Sequence, residues 1–323
     1  MQSVKSKKNK KGIVSIVGAG PGDPGLLTLR GAALLAQSDV VIYDGLVNPE
    51  LLDLAPKAEK IYAGKIKELP RHIWSESLPK SRKLDKQSCV HLKNRIGMEE
   101  INNLMVQHAS AGKRVVRLKG GDPFIFGRGG EEVSHLKKHG IDYEIVSGVS
   151  AGYSAPAYAG IPVTDRRLSS HVTFVTAHED PKKRQSSIDW KKLAKLDGTL
   201  VSFMGVQSLP AMIQGLIAGG KSSETLVSMI QWGTLRRQQV IEGTLRNIVQ
   251  NVQEEKMGSP AVAVIGEVNR FRKEFAWFEK TSAKRNLSEL LSELKLSFSA
   301  KSASRQSKMK KRLPMVAAKK VLV

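Results

Sequence analysis

A glycine-rich loop near the start of the chain is the first candidate for chemistry. Residues 20–25 read GPGDPG and fit the pattern G-x-G-x-x-G, which binds a dinucleotide pyrophosphate when it follows a strand. Asp44 closes the next apolar run, about where an acid would bind the ribose. An NAD enzyme is therefore one interpretation of this segment. Pro21 and Pro24 argue against it because each removes an N–H donor from the loop, and a glycine turn without a ligand is the alternative.

The loops that carry candidate residues lie between alternating strands and helices. Apolar, β-branched runs predict strands, a helical period predicts helices, and several elements end at a glycine. Such an alternation predicts a parallel α/β sheet whose loops form the site. The predicted order is strand 13–17, helix 26–37, strand 39–43, helix 99–112, strand 113–118, helix 131–139 and strand 143–146.

The pattern shifts near Asp165, after which the chain continues as a second α/β lobe. Its predicted strands are 170–177, 198–205, 225–231, 238–244 and 261–266, with helices between them. Residues 287–296 predict one amphipathic helix. The chain therefore divides into a basic tail at 1–12, a first lobe at 13–165 with a basic insertion at 66–97, a second lobe at 166–279, and a basic low-complexity tail at 280–323.

The 323 residues carry a formal net charge of +22, which raises the question of a nucleic-acid partner. The charge is concentrated in three segments. Residues 1–12 contribute +5, residues 66–97 contribute +5 and residues 280–323 contribute +10, which leaves +2 for the rest. Runs of like charge are most often solvated. We therefore expect no dedicated nucleic-acid partner, and weak, non-specific contact of the basic tails with polyanions is the alternative.

Other features of the composition concern the compartment and metal binding. Cys89 is the one cysteine, which excludes a disulfide scaffold and suits a reducing compartment. The histidines lack metal-ligand spacing, so we predict no metal. Residues 145–164 and 198–220 carry no charge but contain Gly, Pro, Ser or Gln, which favours buried or active-site segments over a membrane span. We expect a soluble, cytoplasmic protein without a secretory signal.

Five motifs occur in order along the chain and together point to a family. Each is weakly specific alone, but the ordered set is highly specific. The motifs are GAGPGDP at 18–24, VVRLKGGDPFIFGRGGEE at 115–132, GIPVT at 160–164, FMG at 203–205 and SPA at 259–261. From about residue 13 to residue 268, the sequence resembles the uroporphyrinogen-III C-methyltransferases of the tetrapyrrole methylase superfamily.

The resemblance implies a reaction, a fold and a set of cofactor residues. Members of this family transfer two methyl groups from S-adenosylmethionine to carbons of adjacent pyrroles of uroporphyrinogen III, which gives precorrin-2. They are homodimers of two-lobed α/β chains with the cofactor in the cleft between the lobes. A sulfonium ligand favours nearby oxygens, and glycines let the backbone approach it. By position, the cofactor residues would be Pro21, Gly120, Gly121, Asp122, Ile125, Ser150, Ala151, Met204, Gly233 and Ala261.

The family's acid/base residues correspond by position to Asp44 and Lys65. A base suits the chemistry because methylation of a pyrrole carbon requires loss of a proton elsewhere on the ring system. Some of the matched positions also have a plainer explanation. Asp44 could be a turn residue at a strand end, Asp122 could form an Asp-Pro turn, and Met204 could belong to the core.

Arg128 and Glu131 match the family's substrate contacts. An arginine binds carboxylates bidentately, which suits an octacarboxylate substrate, whereas Glu131 could instead interact with the dipole of the following helix. The sequence departs from the family at 66–98, where a long basic segment replaces a short loop that would border the substrate. A surface insertion, a lid or a sequence artefact would each explain the difference.

Three rival functions remain open at the level of sequence. A later corrin-ring methylase and a ribosomal-RNA methylase belong to the same superfamily, although the opening loop of the RNA branch differs from GAGPGD. A nucleic-acid-binding protein on an inactive methylase scaffold is an alternative of another class. It predicts RNA affinity with a steep salt dependence and no cofactor binding.

Overall fold

The structure is a computed structural model that describes residues 11–64, 97–178, 188–278 and 287–292. The chain comprises two compact units, Met1–Ala283 and Lys284–Val323. In the second unit residues 287–292 are helical, as predicted, and the rest of the predicted helix lies outside the described residues. No helix of the described ranges is long and apolar enough to cross a membrane.

Five parallel strands form the first sheet, which confirms the predicted parallel arrangement. The elements in chain order are β1 Ile13–Gly18, α1 Leu29–Gln37, β2 Val40–Tyr43, β3 Glu59–Tyr62, α2 Met98–Ser110, β4 Val115–Lys119, α3 Gly129–Lys138 and β5 Asp142–Val146. The strand order is β3-β2-β4-β1-β5. Valines and isoleucines pack on both faces, with α2 and α3 covering one face and α1 the other.

The second sheet also has five strands, but its pairing is mixed. The elements are α4 Ala151–Tyr158, β6 Val172–Thr176, α5 Trp190–Ala194, β7 Thr199–Phe203, α6 Leu209–Ala218, β8 Leu226–Gln231, β9 Gln239–Thr244, α7 Ile248–Glu254, β10 Ala261–Ile265 and α8 Arg272–Phe275. The strand order is β6-β7-β10-β8-β9, with β6 and β7 parallel and the other pairs antiparallel. Helices α6 and α7 cover one face, and α4 packs on the other.

All five strands predicted for this sheet are present, and each end lies within two residues of its prediction. Helix α4 was not predicted, because it lies in the charge-free stretch 145–164 and includes Pro156 in its interior. The division of the chain into two lobes at 13–165 and 166–279, with tails at 1–12 and 280–323, stays a prediction.

A dinucleotide-binding loop leads directly into the N-terminus of a helix. The first glycine loop of this chain does not. The predicted helix 26–37 begins only at Leu29, because Thr28 caps it by accepting a hydrogen bond from the Gly31 N–H. A short 3₁₀ turn, Pro24–Leu26, lies between the loop and the helix. This geometry removes the support for the NAD interpretation.

Candidate active site

Three glycine-containing segments meet at the carboxyl edge of the first sheet, where sites of parallel sheets form. A Cβ at Gly148 would lie 2.2 Å from the Gly121 carbonyl oxygen and 2.7 Å from the Gly18 Cα, so these backbones approach closely only as glycines. Gly20 and Gly121 also exchange backbone hydrogen bonds of 3.2 and 2.7 Å. A Cβ at Gly121 would meet no atom within 4 Å, so its exposed side faces open space.

Asp122 links two of these segments through its carboxylate. Oδ1 accepts a hydrogen bond from the Phe124 N–H at 2.8 Å. This bond closes the Asp-Pro turn that was the alternative explanation for Asp122. Oδ2 accepts one from the Gly148 N–H at 3.0 Å. Asp122 is partly exposed on the loop that also carries Gly120 and Ile125. Its role towards a ligand remains a prediction.

The second sheet brings Met204, Gly233 and Ala261 to one edge. Met204 follows β7, and Gly233 lies two residues after β8. Because β10 runs antiparallel to both strands, its first residue Ala261 lies at their carboxyl ends, opposite Gln231. Met204 is 46% exposed, which excludes the alternative that it belongs to the core.

The loops at these two edges are in direct contact. The Asp23 N–H, in the loop after β1, donates to Thr234 Oγ1 in the loop after β8 at 3.1 Å. The Tyr158 hydroxyl, at the end of α4, donates to Asp23 Oδ2 at 2.7 Å. A Cβ at Gly22 would lie 2.8 Å from the Leu235 side chain. The loop of Pro21 therefore lies beside the loop of Gly233.

The start of α4 lies beside a second contact between the two sheets, formed by the rings of Phe203 and Phe126. The Ser150 hydroxyl caps this helix by accepting a hydrogen bond from the Gly152 N–H at 3.3 Å, and Ala151 beside it is partly exposed. A Cβ at Gly152 would lie 2.5 Å from the ring of Phe203. The Phe203 ring in turn lies 5.1 Å from that of Phe126, in the loop after β4. The two edges thus share one contact region.

Several non-glycine residues of these loops adopt the left-handed backbone region, which L residues rarely occupy. Their φ angles lie between 50° and 72°. Such residues concentrate where a binding or catalytic site requires a particular backbone path. In this region they are Phe126, Arg128, Met204, Trp232 and Thr234.

Asp44 lies at the carboxyl end of β2 and faces a group of charged side chains on β4 and α3. Arg117 Nη2 lies 2.5 Å from Asp44 Oδ1, and Lys119 Nζ lies 4.0 Å from Asp44 Oδ2. Arg117 Nε and Lys119 Nζ both contact Glu132 Oε1, at 2.9 and 3.0 Å. The Asp44 side chain is 30% exposed, whereas the other three are at most 5% exposed. Asp44 is therefore the member of this charged cluster that a ligand can reach.

Burial acts on both cations of the charged cluster. Burial lowers the pKa of Lys119, and the neighbouring Arg117 guanidinium lowers it further, against the opposite effect of the two carboxylates. Burial also opposes the charge of Arg117, but attraction by Asp44 and Glu132 outweighs it and raises the pKa of Arg117. Arg117 therefore stays cationic and holds Asp44 in an ion pair.

Arg128 and Glu131 form a bidentate ion pair at the exposed start of α3. The Arg128 Nε donates to Glu131 Oε1 at 2.8 Å, and Nη2 donates to Oε2 at 2.6 Å. Both side chains are more than half exposed. The two residues act as one unit here, and their contact with a substrate remains a prediction.

The structure places the described candidate residues on the segments that follow β1, β2, β4, β5, β7 and β8 and at the start of β10, whereas Lys65 lies outside the described residues. Sequence reasoning missed Gly148, Glu132 and Tyr158. Gly148 had a detectable signal, as a glycine two residues after a predicted strand, but the other two make contacts that only the fold brings about. In the described ranges no three His, Cys, Asp or Glu residues are grouped so that they could hold a metal ion.

Comparison with known proteins identifies the class to which this fold and site belong. Residues 14–249 match the family described as Tetrapyrrole (Corrin/Porphyrin) Methylases, and the chain belongs to this family. It is 46% identical over 271 residues to a uroporphyrinogen-III C-methyltransferase of Bacillus subtilis, covering 84% of this chain and 51% of that protein. It is 44% identical to the Priestia megaterium protein of the same name, covering 80% of this chain and 99% of that protein.

A solved structure supports the same assignment. The Thermus thermophilus uroporphyrin-III C-methyl transferase, complexed with S-adenyl homocysteine, matches with a TM-score of 0.62 and 32% identity. The match covers 80% of this chain and 94% of that one. The chain spans about half the length of several curated relatives that it matches, among them the Bacillus subtilis protein.

Proposed function

We propose that this chain transfers methyl groups from S-adenosylmethionine to carbon atoms of uroporphyrinogen III and so makes precorrin-2. The observation that carries the proposal is the 44% identity to the Priestia megaterium uroporphyrinogen-III C-methyltransferase over 99% of that protein. The motifs at 18–24 and 115–132, which contain two of the loops at the edge of the first sheet, lie within the family match.

The residues at the two contacting edges suit S-adenosylmethionine. Gly121 leaves open space beside the backbone, Ile125 and Met204 expose apolar side chains, and Asp122 supplies carboxylate oxygens for a sulfonium. When bound, S-adenosylmethionine supplies the methyl group that is transferred. We propose that the residues holding it are Pro21, Gly120, Gly121, Asp122, Ile125, Ser150, Ala151, Met204, Gly233 and Ala261.

Asp44 is the proposed proton-transfer group of the reaction. A pyrrole carbon that gains a methyl leaves a proton to be removed from the ring system, which requires a positioned base. Arg117 fixes Oδ1 of Asp44, while part of the side chain stays accessible to a substrate. The family resemblance supports Lys65 as a second acid/base residue.

Arg128 and Glu131 are the proposed contacts for the carboxylates of the substrate. A guanidinium binds a carboxylate through two parallel hydrogen bonds, and Arg128 already holds this geometry with Glu131. A substrate carboxylate that displaces Glu131 would therefore meet a guanidinium already held in an accessible position.

The proposal extends to the assembly and the compartment. The family resemblance supports a homodimer, and the lone Cys89 suits the reducing cytoplasm. Light scattering on the purified full chain measures the mass directly. A mass of twice the chain supports the dimer, and a mass of one chain contradicts it.

An anaerobic incubation tests the activity. The purified chain is supplied with uroporphyrinogen III and S-adenosylmethionine carrying a deuterated methyl, and the product is examined by mass spectrometry. We expect two labelled methyl groups on the tetrapyrrole. A tetrapyrrole without label contradicts the proposal, and label transferred to ribosomal RNA instead would favour the RNA branch of the family.

Two variants that flank the same strand make a matched pair for this assay. Asp44 follows β2 and Asp39 precedes it, and each is paired with an arginine of the neighbouring chain segment. Asp44→Asn should lower methyl transfer to a small residual rate while retaining affinity for S-adenosylhomocysteine. Asp39→Asn, at the opposite end of the strand, should transfer methyl groups at the wild-type rate.

A further inference from the structure

A buried acid, Glu132, joins the two cations behind the proposed proton-transfer group. It lies in the first turn of α3 and its side chain is fully buried. Arg117 and Lys119 both meet Oε1, whereas Oε2 has no hydrogen-bond partner among the described residues. Both cations therefore bind the same oxygen of the Glu132 carboxylate, and the hydrogen-bonding capacity of the other oxygen is not used among the described residues.

Stability alone is a poor explanation for such a group. Removing charges from water costs free energy, and apolar residues of similar volume often stabilise a buried site as well or better. Three charged side chains are almost entirely buried, and the group ends at the one accessible carboxylate, Asp44. A supporting set of buried charges behind an accessible reactive group is how a site fixes that group's geometry.

The first turn of α3 connects this support to the surface. Glu131 lies on the exposed side and binds Arg128, whereas the next residue, Glu132, points inward and binds Arg117 and Lys119. One helical turn therefore carries both Glu131, which binds Arg128 at the surface, and Glu132, which binds the two buried cations.

We propose that Glu132 and Lys119 are positioning residues for Asp44 in the methyl-transfer reaction. Glu132 fixes the Arg117 guanidinium that binds Oδ1 of Asp44, and Lys119 lies beside Oδ2 while bonded to the same Glu132 oxygen. The inference rests on the proposed function, since it assigns these residues to the reaction of that site. It gives them no contact with the substrate or the methyl donor.

Steady-state kinetics of Glu132→Gln test the assignment. This variant keeps the shape of the side chain and removes its charge. We expect kcat to fall on the order of a hundredfold, the effect of a reactive group displaced by about 1 Å. The KM for S-adenosylmethionine should stay at the wild-type value, because the methyl-donor loops are not part of the charged cluster.

A double-mutant cycle with Asp44→Asn separates positioning from a structural role. If Glu132 acts through Asp44, adding Glu132→Gln to Asp44→Asn causes no further loss of the residual kcat. An equal loss in both backgrounds, or a wild-type kcat in Glu132→Gln alone, overturns the inference. A wild-type chain that transfers no methyl group is a different result, because it overturns the proposed function as well.

Two further variants keep the test decisive. If circular dichroism shows that Glu132→Gln does not fold, Lys119→Met takes its place, since Arg117 and Glu132 remain paired in it. We expect Lys119→Met to lower kcat about tenfold, as loss of an outer partner does at other sites, and an unchanged kcat contradicts the inference. The control is Lys113→Met with Glu59→Gln, an exposed pair 3.3 Å apart in which Lys113 precedes β4 and Glu59 begins β3. It should leave kcat unchanged.

Discussion

Two aspartates flank β2, and their surroundings differ although both bind an arginine. Asp44 is held by the buried Arg117, whereas Asp39 binds Arg114 at the surface, where both side chains are well exposed. Hydrogen bonds from the Arg114 side chain, and then from its backbone N–H, lower the pKa of Asp39 below the ordinary 3.8. The same residue type thus supports a surface turn at one end of the strand and a candidate reaction at the other.

The Asp39 pair makes a small contribution to stability that depends on pH. A carboxyl with a lowered pKa in the folded state stabilises the fold above its unfolded pKa, and this contribution is lost as the pH falls through the folded value. Asp39→Asn should therefore be less stable than the wild type above about pH 5, by about 0.2–1 kcal/mol for an exposed pair. Urea unfolding at several pH values should show this difference begin to shrink near pH 3.8 and vanish at lower pH, once the Asp39 carboxyl of the folded chain is protonated. A difference that persists in acid contradicts this explanation.

At the scale of elements, Tyr158 connects α4 to the first glycine loop. Burial raises the pKa of Tyr158, and the hydrogen bond to the Asp23 carboxylate raises it further, so the hydroxyl keeps its proton and remains a donor. The same Asp23 accepts the Gly25 N–H through Oδ1. Tyr158 is therefore an anchor for the loop that carries Pro21.

Removal of this anchor should affect both stability and binding. Tyr158→Phe deletes one hydrogen bond to a charged group, which should destabilise the chain by about 1–2 kcal/mol at this half-buried position. Affinity for S-adenosylhomocysteine should fall with it. Tyr153→Phe, on the same helix and 43% exposed, is the matched control and should match the wild type in calorimetric titration and chemical unfolding. Wild-type behaviour of Tyr158→Phe would contradict the anchoring role.

The meeting of β1, β4 and β5 requires glycine at position 148. In Gly148→Ala the new Cβ meets backbone atoms of Gly121 and Gly18, which cannot move aside as a side chain could. We expect a loss of about 1–3 kcal/mol, the usual cost of overpacking, and weaker binding of S-adenosylhomocysteine. Gly130→Ala has no atom within 4 Å of its Cβ and lies in a helix, so it should be as stable as the wild type or slightly more stable. Equal stability of the two variants would show that the three segments do not constrain one another.

The elements were predictable where the sequence carries local signals. Glycines at strand ends and β-branched runs predicted nine of the ten strands in the two described sheets, because turn chemistry and hydrophobic period act over a few residues. The strand β3 was not predicted. Helix α4 carries neither a charged face nor a regular apolar stripe, and α1 starts late because Thr28 competes as a cap. The antiparallel course of β10, which brings Ala261 beside Met204, depends on contacts between distant segments and was not readable from local patterns.

For the molecule as a whole, the family motifs pointed to an exposed residue that the physics of single residues would have placed in the core. Motif position reached Met204, which residue chemistry alone would have assigned to the core. Neither approach predicted that Glu132 would be buried or that Tyr158 would bind Asp23, because these contacts join residues 13 or more positions apart through the fold. The basic segments that raise the net charge to +22 lie almost wholly outside the described residues, and their contact with polyanions remains a prediction.

The central claim is that loops from both sheets bind one methyl donor together. Hydrogen–deuterium exchange of the full chain, with and without S-adenosylhomocysteine, tests it most directly. When S-adenosylhomocysteine is bound, we predict slower exchange in loops of both sheets. The segments are 18–23, 119–124, 147–152, 203–205 and 231–235. Protection confined to one sheet would contradict the claim. So would protection only at the cavity of about 370 Å³ that residues of β9 and α7 line, among them Gln239, Glu242 and Glu254.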